Sequence, residues 1–189
     1  MRAIVVYESM YGNTHTVAEA IGAGLGRVLD VEGTGEGTVE GTVEVVSVHD
    51  ATPAQLTGAD LLVVGGPTHA HGMSRATTRA SAVADAAKPE PPLDVDPDAE
   101  GDGLREWFDG LGDLGLRSAA FDTRVDMAAA FTGRASKGIA KRLRHHGCEV
   151  VAEPESFLVT KETHLEPHEA ERAAAWGERL GALLAGSAG

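Results

Sequence analysis

The chain has 189 residues, 42% of them hydrophobic, 24% charged and only 4% aromatic. That excludes wholesale disorder and fits a single domain, 1–189, with a core of Val, Leu, Ile and Ala. Sixteen basic residues against 29 acidic ones give a net charge of −13, which argues against nucleic acid and anionic lipid as partners and suits solubility or a basic protein partner.

Ala3–Tyr7 is a compact β-branched run, read as a buried strand and too short to span a bilayer. The N-terminus lacks the regions of a signal peptide, so no membrane insertion and a cytoplasmic protein are expected. Cys148 is the single cysteine. It excludes an internal disulfide and a multi-cysteine zinc site, agrees with the cytoplasm, and reads as small core filler. After a loop from Glu8 to Asn13, apolar residues at Val17, Ile21, Leu25 and Val28/Leu29 predict a helix starting near Asn13 or Thr14. Residues 32–42 read as a Gly- and Thr-rich surface loop, and Val43–Val48 as a second strand. A short connection with Pro53 and Leu56 leads to the third strand, Leu61–Val64, expected to stop at Gly65-Gly66-Pro67.

Thr77–Ala87 reads as a helix. Residues 88–103 hold four prolines and many acids, an acidic Pro-rich insertion expected to be exposed. Leu104–Leu111 is a short helix, Ser118–Asp122 a fourth strand and Arg134–His146 a helix. Glu149–Ala152 and Phe157–Thr160 make a fifth strand broken at Pro154, and Pro167–Leu184 is the last helix. Continuous apolar strands alternating with helices predict an α/β protein, a three-layer doubly wound sandwich around a five-stranded parallel sheet. Ligands of such sheets bind at the carboxyl ends of the strands, where the strand order reverses.

Three loops end there. The first, Ser9-Met10-Tyr11-Gly12-Asn13-Thr14, sets hydroxyls and a flexible glycine at a helix start, where free N–H groups attract phosphate. An ordinary polar helix cap explains the same residues. The loop lacks the Lys-Ser/Thr pair of a Walker loop and the three glycines of the dinucleotide fingerprint. Gly65 and Gly66 stand where a phospho-receiver domain would close its third strand with an aspartate. The second loop carries Pro67, Thr68, His69, Ala70 and His71; the two histidines lack a third ligand, so no metal site is expected. The third runs from Thr123 to Thr132 with Arg124, Met127 and Phe131, able to cover a ring or to pack on the next helix. The helix from Arg134 concentrates Lys137, Lys141, Arg142 and Arg144; it reads as a solvated face, a docking patch or a nucleotide-phosphate site.

Ser9 to Thr14 resembles the flavodoxin phosphate loop, Ser/Thr-x-x-Gly-x-Thr, and Gly66-Pro67-Thr68 resembles the second flavin loop of flavodoxin-type quinone reductases. The resemblance covers essentially the whole chain and implies a flavodoxin-like fold with one FMN. Carried over, Ser9, Met10, Tyr11, Gly12, Asn13 and Thr14 surround the phosphate. Pro67, Thr68, His69 and Ala70 line one side of the isoalloxazine, and Thr123 and Arg124 approach from the other. The chain departs from electron-carrier flavodoxins in lacking a tryptophan–tyrosine sandwich and in setting Arg124, His69 and His71 near the ring, which favours reduction. The implied function is FMN-dependent electron transfer with a redox partner protein or a small-molecule electron acceptor. Its alternatives are an NAD(P)H-dependent quinone-type reductase and a flavin-free binding or regulatory domain. No catalytic residue is named.

Overall fold

The computed structural model describes residues 1–29, 41–69, 71–86, 95–97, 99 and 101–186. Strands β1 (Arg2–Tyr7), β2 (Thr42–Ser47), β3 (Leu61–His69) and β5 (Arg117–Val125) lie parallel in the order β2-β1-β3-β5. The far edge is built in two pieces: β6 (Glu149–Val150) pairs the start of β5 and β7 (Glu155–Val159) its end. This is the fifth strand interrupted at Pro154 that the sequence predicts. A two-residue strand β4 (Gly72–Met73) folds back antiparallel on β3.

Side chains alternate across a strand, and that period of two sorts the core into two layers. Val5, Val63 and Phe121 face α1 (Asn13–Leu29) and α7 (Glu169–Ala185), meeting Ile21, Leu25, Trp176 and Leu180. Val6, Val64 and Ala120 face the other way, onto α2 (Pro53–Leu56), α4 (Leu104–Asp109) and α6 (Ala135–His145). Helix α3 (Ala76–Ala86) and the short α5 (Ala129–Thr132) flank the carboxyl ends of the strands. Cys148 is buried in the second layer, and burial pushes its thiol pKa up, as befits packing material.

The structure corrects four expectations. β3 does not stop at Gly65 but runs on to His69. Its glycines serve packing: a Cβ on Gly65 would sit 2.1 Å from the Phe121 ring, and one on Gly66 would sit 2.7 Å from Leu104. β5 likewise extends past Asp122, so Thr123 and Arg124 belong to a strand end rather than to a loop. β4 and α5 are short elements without a periodic sequence signal. The insertion is not wholly exposed. Asp96 and Ala99 are buried, and the Asp96 N–H donates to Met10 O at 2.8 Å, so this arm packs on the first loop. The expected loops at residues 32–40 and 88–94 lie outside the described residues.

Candidate functional site

The order β2-β1-β3 reverses direction at β1, so the chain leaves β1 and β3 toward opposite faces of the sheet and opens a crevice at their carboxyl ends. Nine of the twelve sequence-predicted residues line one cleft of 180 Å³ at this point: Met10, Tyr11, Asn13, Thr14, Pro67, Thr68, His69, Thr123 and Arg124. Ser9 and Gly12 belong to the same first loop but are not on the cleft wall, and Ala70 lies outside the described residues. His71 is exposed and is not on the cleft wall. Val125, Val159 and Thr163 complete the wall. In sequence Val159 reads only as part of the fifth strand and Val125 only as part of the third loop. Thr163 sits in a loop after β7, with a left-handed φ of 64°, and carries no motif.

The first loop is fixed by its own polar groups. The Gly12 N–H donates to Ser9 Oγ at 3.1 Å, and Gly12 has a φ of 78°, a backbone state that favours glycine. A Cβ at Gly12 would meet nothing within 4 Å, so the space beside the turn is open. The Tyr11 hydroxyl donates to Ala82 O at 3.0 Å, and the Asn13 side-chain amide donates to Thr163 O at 2.6 Å. Burial, with Asp85 nearby, raises the Tyr11 pKa and keeps the phenol a donor. The N–H groups of Asn13, Thr14 and His15, in the first turn of α1, have no acceptor among the described residues. Such a turn attracts an anion through free donors and the helix dipole.

Two hydroxyls join the loops. Thr14 Oγ1 and Thr123 Oγ1 are 2.7 Å apart and buried. One proton closes that pair and the other stays free to donate into the cleft. Thr68 Oγ1 accepts from the Ala135 N–H at 2.9 Å, at the start of α6. Arg124 is held under the third loop, donating to Met127 O at 2.6 Å, while its buried Nε has no partner among the described residues. Burial lowers the His69 pKa, Glu8 works against that shift and Arg79 adds to it, so the imidazole is neutral at pH 7.

The sequence missed two buried carboxylates behind the cleft. Glu8 Oε2 accepts from the Leu104 N–H at 2.8 Å, capping α4, and Asp122 Oδ2 accepts from the Ser136 N–H at 2.7 Å, capping α6. Their second oxygens, Glu8 Oε1 and Asp122 Oδ1, are buried without partners among the described residues. The expectation of purely neutral or positive surroundings is therefore incomplete. Next to Glu8, the buried Arg79 guanidinium donates to Gly101 O, Ser74 Oγ and Glu106 Oε2, and so ties α3 to the insertion arm and to α4. Among the described residues no cluster of His, Cys, Asp and Glu could hold a metal ion, and no helix is long and apolar enough to cross a membrane.

No protein-family model and no curated protein matches the chain in sequence. Solved structures do. A flavodoxin from the domain Archaea superposes with a TM-score of 0.61 at 22% identity, over 97% of this chain and 99% of that one. A flavodoxin, WrbA-like protein from Agrobacterium tumefaciens gives 0.54 at 21% identity, over 97% and 96%. Rubredoxin oxygen:oxidoreductase from Desulfovibrio gigas gives 0.59 at 16% identity, over 98% of this chain but 36% of that one. Parallel sheet, helices on both faces and near-complete coverage of whole flavodoxins together identify the architecture of this chain as the flavodoxin-like α/β fold.

Proposed function

We propose that the cleft binds FMN and that the chain is an electron-transfer protein of the flavodoxin type. The observation that carries this reading is the convergence of three separate strand ends, β1, β3 and β5, on one cleft next to the free N–H groups of α1. The residues present fit the group. The open space at Gly12 and the backbone N–H groups of Asn13, Thr14 and His15, without acceptors among the described residues, match a phosphate held by dipoles, with no lysine or arginine in the loop. Pro67, Thr68 and His69 offer one wall for a flat ring, and Thr123 and Arg124 the other. The flavin, when bound, supplies the redox chemistry; the chain positions it and tunes its potential.

A second reading, a reductase taking a hydride from NAD(P)H and passing it to a quinone-type acceptor, draws on His69 and Arg124. A neutral imidazole and a guanidinium on the walls favour the reduced cofactor more than an all-acidic rim would. The visible absorption spectrum of the purified protein, before and after adding FMN and desalting, tests the shared claim. Retained flavin bands are expected. A protein that stays colourless after FMN addition refutes both readings in favour of a flavin-free binding domain. With flavin retained, steady NAD(P)H oxidation by the protein alone selects the reductase, and the need for a separate reductase selects the carrier.

A further inference from the structure

The chain is strongly acidic overall, yet α6, which starts against the cleft wall at Thr68 and runs back toward the start of β5, carries the opposite charge. From Arg124 to His146 the sequence holds six Arg and Lys residues and a single acid, Asp126. Arg142 is neutralised by Asp109 at 2.5 Å, and Arg134 is spent on Ser156 and Pro154. Lys137, Lys141 and Arg144 remain exposed on α6, without an ion pair among the described residues. Their spacing of four and three residues sets them in one stripe along the helix. Met73 packs against α6 at Gly138.

The stripe begins, at the cleft end of α6, a few residues from an apolar spot. Four large hydrophobic residues are exposed among the described residues, and two of them, Met127 at 46% and Phe131 at 71%, lie in the connection between β5 and α6. That connection is not loose. Arg124 holds Met127 O, Gly133 bridges His71, and the Ala135 N–H is bound by Thr68 of the cleft wall. An exposed aromatic on a fixed scaffold at a site mouth, rimmed by one sign of charge, is the usual make-up of a docking surface.

We propose that Met127 and Phe131, with the basic stripe Lys137, Lys141 and Arg144, form the docking surface for an acidic electron-transfer protein that lies along α6 and reaches the cleft mouth at its first turn. This inference rests on the flavin reading for its purpose but not for its test. The charge of the stripe selects an acidic partner, although net charge alone would select a basic one. The apolar pair supplies the desolvated centre, and the stripe sets orientation and association rate.

The test is a binding titration of the full chain, with and without added FMN, by calorimetry. The probes are a plant-type [2Fe–2S] ferredoxin as the acidic protein and cytochrome c as the basic one. Binding to the ferredoxin is expected, with affinity falling as salt rises. K137E/K141E/R144E should weaken it at least tenfold and flatten the salt dependence, and F131S should weaken it with the salt dependence retained. All four positions are at the surface, so far-UV circular dichroism of the variants should match the parent. Preference for cytochrome c, equal affinity of parent and variants, or no binding to either probe overturns the proposal. Because the FMN-free chain is also titrated, a chain that binds the ferredoxin but retains no flavin refutes the flavin reading and leaves the docking surface standing.

Discussion

Thr14 is the residue on which the cleft and the loop most directly depend. Its hydroxyl is buried and shared with Thr123 across 2.7 Å, so it joins α1 to β5 while leaving one proton for a ligand. Thr14→Val keeps the volume and removes the hydroxyl. The chain should lose about 1 kcal/mol of stability, the usual net worth of one hydrogen bond. FMN affinity should fall by about tenfold or more, since hydrogen bonds to charged groups are worth roughly 1.5–3 kcal/mol. Flavin fluorescence titration reads this directly, and equal affinity of variant and parent would remove Thr14 from the phosphate site. His69 gives a second prediction, on pH. Burial lowers its folded pKa below the ordinary 6.5, so between the two values the unfolded chain binds more protons than the folded one. Stability is therefore full above pH 6.5 and declines as pH falls below it, until the folded imidazole also charges. Urea unfolding at pH 5 to 7.5 should show this decline in the parent and a shallower one in His69→Asn.

At the scale of elements, close approach of backbones explains much that propensity alone would get wrong. Helices α1 and α7 touch through glycines. A Cβ on Gly177 would stand 2.2 Å from Ile21 O, and one on Gly24 would stand 2.0 Å from Ala174 O. Alanine is the better helix former by about 1 kcal/mol, but overpacking costs roughly 1–3 kcal/mol where the obstacle can move, and a backbone carbonyl in a packed helix hardly can. Gly177→Ala should therefore destabilise. Gly138→Ala in α6 should stabilise by up to about 1 kcal/mol, because its Cβ would meet Met73 at an ordinary 3.6 Å. Chemical denaturation midpoints of the two variants should move in opposite directions. The same contrast shows where sequence reading succeeds and where it stops. The apolar runs of β1 and β3 and the helical spacing of Val17, Ile21 and Leu25 carry periodic signals, and those elements were legible. The passage of β3 through Gly65, Gly66 and Pro67 was not, since turn-type residues there answer to Phe121 and Leu104, distant in sequence. The cleft was legible in its three loops, where polar residues cluster at strand ends. Glu8 and Asp122 were not, because a carboxylate that caps a distant helix leaves no local pattern.

Across the whole molecule, the sheet separates two cores that share every central strand, so neither can melt alone without exposing the other. One tryptophan reports on each. Trp176 is buried in the layer of α1 and α7, while Trp107 packs against the opposite layer and donates to Ala51 O at 2.7 Å. If residues 1–189 form one cooperative domain, the fluorescence of Trp107→Phe, which reports Trp176 alone, and that of Trp176→Phe should each melt together with the far-UV signal of the same variant. If FMN binds as proposed, at the edge where β1, β3 and β5 end, it should stabilise both layers through the strands they share. At a free FMN concentration one hundred times its Kd, mass action adds about 2.7 kcal/mol. For a chain of this length that is a rise of roughly 5–10 °C in Tm. Equal shifts in the two tryptophan reporters are the expected outcome. A shift confined to the Trp176 layer would mean that the faces unfold separately, and no shift in either would mean that the folded cleft does not hold the nucleotide.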